Sequence, residues 1–89
     1  MMPKIDQARI TGRVLGADGR PVKIGTVELH NQTDDILDTV LVDDEGRYSF
    51  NLSPGMWTLR AWDVKGRRGE ATADLKSGID ATVDITLEA

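Results

Sequence analysis

The sequence predicts an all-β fold, a sandwich of seven short antiparallel strands, and three observations carry that prediction. Apolar residues recur with period two almost throughout and never with the 3.6 period of a helix. Each alternating segment ends at a glycine, a proline or a run of polar residues. All the aromatic residues, Tyr48, Phe50, Trp57 and Trp62, fall within one stretch, VDDEGRYSFNLSPGMWTLRAW.

The elements follow in order. ARITGRVL places Ile10 and Val14 on one face, with Gly12 between them, and Arg9, Thr11 and Arg13 on the other. GADGRP reverses the chain: Asp18-Gly19 suits the positive φ of a tight turn, and Pro21 withholds a ladder donor. In GTVELHN, Val27 and Leu29 are expected inward, and Thr26, Glu28 and His30 outward. NQTDD reads as an exposed loop, and ILDTVLV, β-branched and too short for a stable helix, as the third strand.

DDEG turns the chain into RYSFNL, with Asp43 placed to accept backbone amides as Asx turns do. SPG then leads into MWTLRAW, so that Tyr48, Phe50 and Leu52 share a face with Trp57, Leu59 and Ala61. DVKGRRGE is a polar loop, ATADL a weak strand and KSG a turn. IDATVDITLE closes the chain as an unbroken strand, with Ile79, Ala81, Val83, Ile85 and Leu87 inward. Asp80, Asp84 and Glu88 on its outward face are expected to deter casual edge pairing. The central hairpin meets both sheets, so Tyr48, Phe50, Trp57 and Leu59 are the expected core, with Tyr48 and Trp57 at its centre.

Length and charge bound the function. The 89 residues make one domain, expected over residues 8–89 behind a short N-terminal arm of residues 1–7. A chain this short buries only about 60 to 65% of its unfolded surface, which leaves little room for a deep active site. The sequence has no cysteine, which removes disulfides, thiolate metal sites and thiol nucleophiles together. A net charge of -4 and a pI near 4.8 argue against nucleic acid and anionic lipid as partners. No apolar run reaches the roughly 18 to 20 residues of a membrane span. MMPKIDQARI lacks the apolar region of a signal peptide, so a virion or cytoplasmic location is expected.

The segments ITGRVLGADGRPVKIGTVELHN, VDDEGRYSFNLSPGMWTLRAW and VDITL together resemble the carboxypeptidase regulatory-like domain, a transthyretin-like (prealbumin-like, Ig-like) Greek-key sandwich. The resemblance covers residues 8 to 88 and implies architectural roles for Gly19, Pro21, Gly25, Val27, Leu29, Asp43, Gly46, Tyr48, Phe50, Pro54, Gly55, Trp57 and Leu59. It implies no catalytic residue. The opening strand, GTVEL and DEGRYSFNLSPGMWTL are similar to the N-terminal domain of phage tail fibres, which implies a free-standing decoration or adaptor subunit of a virion. ITGRV, PGMWTLRA and the KGRRGEA loop are similar to a small family encoded beside sulfurtransferases, which implies an accessory protein that binds an enzyme. Members of that family usually carry an N-terminal Cys, and this chain has none.

The residue inventory weighs against chemistry. His30 is the only histidine, and no spacing places it beside Ser49, Ser53 or Ser77 for a relay; it is expected to be solvated or at a strand edge. The ureide hydrolase of the transthyretin-like fold uses several histidines, an arginine and a C-terminal tetrapeptide ending in GS, whereas this tail reads TLEA. Asp34, Asp35 and Asp38 precede the third strand while Asp43, Asp44 and Glu45 follow it, too far apart to converge on one cation. No cofactor or metal is expected.

What remains is a surface. Lys65 to Gly69, KGRRG, is the sole basic cluster along the sequence. Strict alternation from Trp57 puts Trp62 on the opposite face with Met56, Thr58 and Arg60, unless a bulge after Ala61 returns it to the rim of the core. Trp and Arg are enriched at binding hot spots. Arg60, Trp62, Arg67 and Arg68 are therefore the expected partner-binding residues of a non-catalytic module that docks onto a larger protein assembly. That assembly is expected to be a virion, with a cytoplasmic enzyme such as a sulfurtransferase as the alternative and self-association as a further option. A sugar ring stacked on Trp62 is the remaining alternative.

Overall fold

The structure, a computed structural model, describes residues 8–88; the arm expected over residues 1–7 lies outside them. The strands are β1 (Ala8–Leu15), β2 (Gly25–His30), β3 (Ile36–Leu41), β4 (Arg47–Leu52), β5 (Gly55–Asp63), β6 (Arg68–Leu75), β7 (Ala81–Thr82) and β8 (Ile85–Thr86). They form two facing sheets. One has the order β4-β1-β7 with β8 also on β1, and the other runs β3-β2-β5-β6.

The period-two reading holds in the strands that form the core, β1, β2, β4 and β5, whereas the edge strand β3 is exposed along most of its length. Ile10, Val14, Val27, Leu29, Leu59, Leu75, Ile85 and Leu87 are fully enclosed between the sheets. Tyr48, Phe50 and Ala61 join them, with the Tyr48 and Phe50 rings tilted at 57° and 6.0 Å between centroids. Trp57 departs from the expectation: it is half-buried and packs against the core instead of filling its centre. It lies near the start of β5, where its indole Nε1 donates to the Ser53 carbonyl at 3.0 Å. A Trp whose N–H must find an acceptor fits the rim better than an apolar centre.

The closing segment also differs from the unbroken strand expected. It runs parallel to β1 and is split, with Ala81 and Thr82 opposite Ile10 and Thr11, and Ile85 and Thr86 opposite Val14 and Leu15. The aspartates spaced four apart explain the break. Asp80 Oδ1 accepts from the Arg9 amide at 2.9 Å and Asp84 Oδ1 from the Arg13 amide at 3.0 Å, so side chains replace carbonyls in the ladder. These carboxylates therefore point along the sheet at β1 instead of outward. Between them Val83 donates to the Thr11 carbonyl and accepts from the Tyr48 hydroxyl, at 2.8 and 2.5 Å. A side chain at Gly12 would collide with the Val83 carbonyl, so only glycine admits this crossing. Ile79, expected inward, precedes the paired region and is 61% exposed.

One turn geometry recurs at residues 16–20, 31–35, 43–47 and 63–67. In each, the first residue's carbonyl accepts from the fourth residue's amide, and its amide donates to the fifth residue's carbonyl. The fourth residue has positive φ: 83° at Gly19, 64° at Asp34, 76° at Gly46 and 81° at Gly66. In the last three turns the side-chain oxygen of Asn31, Asp43 or Asp63 also accepts the amides of the third and fifth residues. This is the type I turn closed by a left-handed residue that suits a short β connection.

Candidate protein-docking face

Strand β5 pairs with β2 on one side and β6 on the other, and both registers run unshifted through Ala61 and Trp62. No bulge intervenes, so Trp62 points away from the core. It is half-exposed, with Thr26 of β2 and Arg68 of β6 directly across the ladder. One step along the same face, Arg60 stands between Glu28 and Glu70. Together with Glu88 these side chains line an open groove of about 500 Å³ around the indole.

The arginines on this face differ in availability. Arg60 Nε donates to Glu70 Oε2 at 2.9 Å and its Nη2 lies 3.3 Å from Asp34 Oδ1. The Glu70 bond and then the Asp34 charge raise its pKa, so it is a fixed cation. Arg68 is exposed and has no carboxylate within ion-pair distance among the described residues. Arg67 is turned away from the Trp62 groove, with its Nε 2.7 Å from Asp63 Oδ2. The sequence-predicted set thus divides: Arg60, Trp62 and Arg68 come together, and Arg67 serves the turn beneath.

Asp63 escaped the sequence reading. It is only 6% exposed and accepts from the Lys65 amide, the Arg67 amide and the Arg67 guanidinium. Burial pushes its pKa up, but the Arg67 and Lys65 contacts outweigh burial and hold it below the ordinary carboxylate value. The KGRRG loop is therefore anchored at its base. The signal was present as the DxxGR pattern, which occurs at both 43–47 and 63–67.

His30 corrects a second expectation. It is buried, 3% exposed, although it keeps the outward face that alternation gives it: the β2–β5 register is unshifted through His30↔Thr58, and the ring lies against Glu28 and Asp34 on that face. Its Nε2 lies 2.5 Å from Glu28 Oε1 and its Nδ1 3.0 Å from Asp34 Oδ1. Both ring nitrogens are occupied. Tyr48 is likewise enclosed, and burial, then the nearby Asp84 charge, raises its phenol pKa far above the ordinary range.

Comparison with known proteins agrees with this architecture. The family model of the carboxypeptidase regulatory-like domain matches residues 9–88. The chain belongs to that family. Among full-length relatives, the regulatory-like domain is 35% identical over 78 residues to two uncharacterised proteins of Mycobacterium tuberculosis, Rv0814c and Rv3118, covering 86% of this chain and 78% of each of them. Among solved structures it resembles a DUF3823 family protein from Parabacteroides merdae, with a TM-score of 0.71 and 18% identity over 94% of this chain; it spans 47% of that protein. It also resembles the 5-hydroxyisourate hydrolase of Klebsiella pneumoniae, with a TM-score of 0.64 and 15% identity over 92% of both chains. At such identities the structural likeness establishes the transthyretin-like fold.

Proposed function

We propose that this regulatory-like domain is a non-catalytic interaction module that docks onto a larger protein assembly through Arg60, Trp62 and Arg68. The observation that carries the reading is the outward Trp62 beside Arg68, an arginine with no carboxylate partner among the described residues, on an otherwise regular sheet face. An aromatic anchor with an available guanidinium is the composition of a hot spot. The non-catalytic part is supported by His30, the only histidine, which is buried with both nitrogens held by carboxylates and offers nothing to a substrate.

The similarity of ITGRV, PGMWTLRA and the KGRRGEA loop to a family encoded beside sulfurtransferases supports an enzyme partner, and the occurrence of relatives in Mycobacterium tuberculosis favours a cellular one. The similarity of the opening strand and the GRYS hairpin to tail-fibre attachment domains supports the alternative, a virion subunit. Co-purification from the native host separates the two, since one predicts an enzyme and the other a phage particle. The same experiment with Trp62→Ala tests the face: binding is expected to weaken by about 2 kcal/mol or more while the melting temperature barely changes. Undiminished co-purification of Trp62→Ala would remove docking from this face. Retention that a soluble oligosaccharide competes away would mark Trp62 as a sugar platform instead.

A further inference from the structure

The opposite face of the sandwich carries a second basic surface that no stretch of sequence displays. In the β1–β4 register Arg9 stands opposite Asn51, Thr11 opposite Ser49 and Arg13 opposite Arg47, and Thr82 of β7 flanks Thr11. The arginines, Ser49, Asn51 and Thr82 are exposed, so all of them lie on the outer face, with Thr11 half-exposed between them. Two arginines directly across an antiparallel ladder repel one another, a destabilising arrangement in an isolated sheet. It is the more notable in a chain of net charge -4.

Among the described residues neither Arg9 nor Arg13 has a carboxylate within ion-pair distance, and Arg47 meets only Glu45, at 2.8 Å on the exposed turn. The carboxylates bordering the face, Asp43, Asp80 and Asp84, keep their charge but are held on backbone amides, and Asp43 also feels the charges of Arg47 and Arg13. Asp84 holds the Arg13 amide and Asp43 holds the amides of Glu45 and Arg47. Guanidinium groups with hydroxyls between them form a donor surface for carboxylate or other oxyanion oxygens.

The spacing identifies the ligand class. Arg9 and Arg13 are four residues apart on one strand, about 13 Å at about 3.3 Å per residue. One small oxyanion cannot bridge them, whereas an extended peptide with acidic side chains at i and i+4 has the same repeat. The groove over this face has a volume of about 940 Å³ and is bounded at one end by Val40 and by Leu41, which is 77% exposed, giving an apolar neighbour to the basic floor.

We propose that the outer face of the β4-β1 sheet binds an extended acidic segment of a protein partner, with its carboxylates on Arg9 and on the Arg13/Arg47 pair. This surface lies on the sheet opposite the one that carries Trp62. This proposal does not rest on the Trp62 reading.

The test is fluorescence anisotropy with a labelled, terminally blocked hexapeptide, Glu-Thr-Val-Thr-Glu-Val, beside its Gln-for-Glu counterpart. The Glu peptide is expected to bind at least about tenfold more tightly than the Gln peptide. The double variant Arg13→Ala/Arg47→Ala is expected to lose at least about tenfold in affinity with no fall in melting temperature. Arg20→Ala/Lys23→Ala, an equal charge change elsewhere on the surface, is expected to retain binding. Equal binding of both peptides, or loss of binding in both double variants alike, would overturn the proposal. Full competition by millimolar inorganic phosphate would replace the peptide segment with a small-oxyanion site.

Discussion

Residues 43–47, DDEGR, and 63–67, DVKGR, form the same turn from the same pattern, yet the fold uses them in opposite ways. In the first, Asp43 is exposed while Gly46 is wedged against the Val14 carbonyl and the Val22 backbone. In the second, Asp63 is buried while Gly66 faces open space. The fifth residue follows suit: Arg67 is locked to a buried carboxylate and Arg47 is left on the surface beside Arg13. A local pattern thus fixes the backbone, and the surroundings decide which of its side chains is structural and which is available for binding.

The largest expected effect separates the aspartates. Asp63→Ala strips a buried site of the acceptor for two amides and a guanidinium, and its melting temperature should fall on the order of 10 °C or more. Asp43→Ala, whose amides can turn to water, should fall by only about 3 °C. Equal losses, read in parallel thermal melts, would mean that burial does not distinguish the turns.

The glycines should reverse that order. Alanine at either position is strained by the positive φ, costing about 1 kcal/mol at Gly66. At Gly46 the added Cβ would also lie 2.8 Å from the Val14 carbonyl oxygen, and the cost should reach about 2 to 3 kcal/mol. Urea midpoints of the two variants check this, and a Gly66→Ala variant no more stable than Gly46→Ala would break the comparison.

Acid sharpens it further. Backbone amides of Arg47 and Glu45 lower the Asp43 pKa, and for Asp63 the Arg67 and Lys65 contacts outweigh burial, so both folded values lie below the ordinary 3.8. A depressed carboxyl contributes stability above the unfolded value and loses it as pH falls through the folded one. Stability should therefore decline below about pH 4, and Asp63→Asn and Asp43→Asn should each flatten that decline. An acid limb unchanged from wild type in both variants, read in melts from about pH 6 to about pH 2, would contradict the assignment.

Much of this was legible in the sequence and the rest was not, for definable reasons. Alternation marks faces, so Ile10, Val14, Val27, Leu29, Tyr48, Phe50 and Leu59 were placed correctly from period two alone. Alternation does not reveal how far along a strand the core extends, which is why Trp57 and Ile79 were placed too deep. Nor does it reveal burial on an outward face: His30 alternates outward as expected, yet its ring is enclosed against Glu28 and Asp34. The Asp80–Asp84 spacing carried the signal for a ladder completed by side chains, but read as period two it looked like an outward polar face. The arginine face was hidden because Arg13 and Arg47 lie on strands distant in sequence, and a search for contiguous charge stops at KGRRG.

The smallest effect is the most telling for function. Arg67→Ala removes the guanidinium from buried Asp63 and should lower the melting temperature measurably. Arg47→Ala removes an ion pair between side chains that are both more than half exposed, an interaction of about 0 to 1 kcal/mol. It also removes the repulsion with Arg13 across the ladder, which acts in the opposite direction. The two terms should nearly cancel, leaving a shift of less than about 2 °C in either direction. A residue that the fold does not need, set beside a like charge at the end of a turn whose counterpart is fully engaged, is free to serve the acidic segment proposed above. A clear destabilisation on Arg47→Ala would make this arginine structural after all and erase the distinction between the two turns.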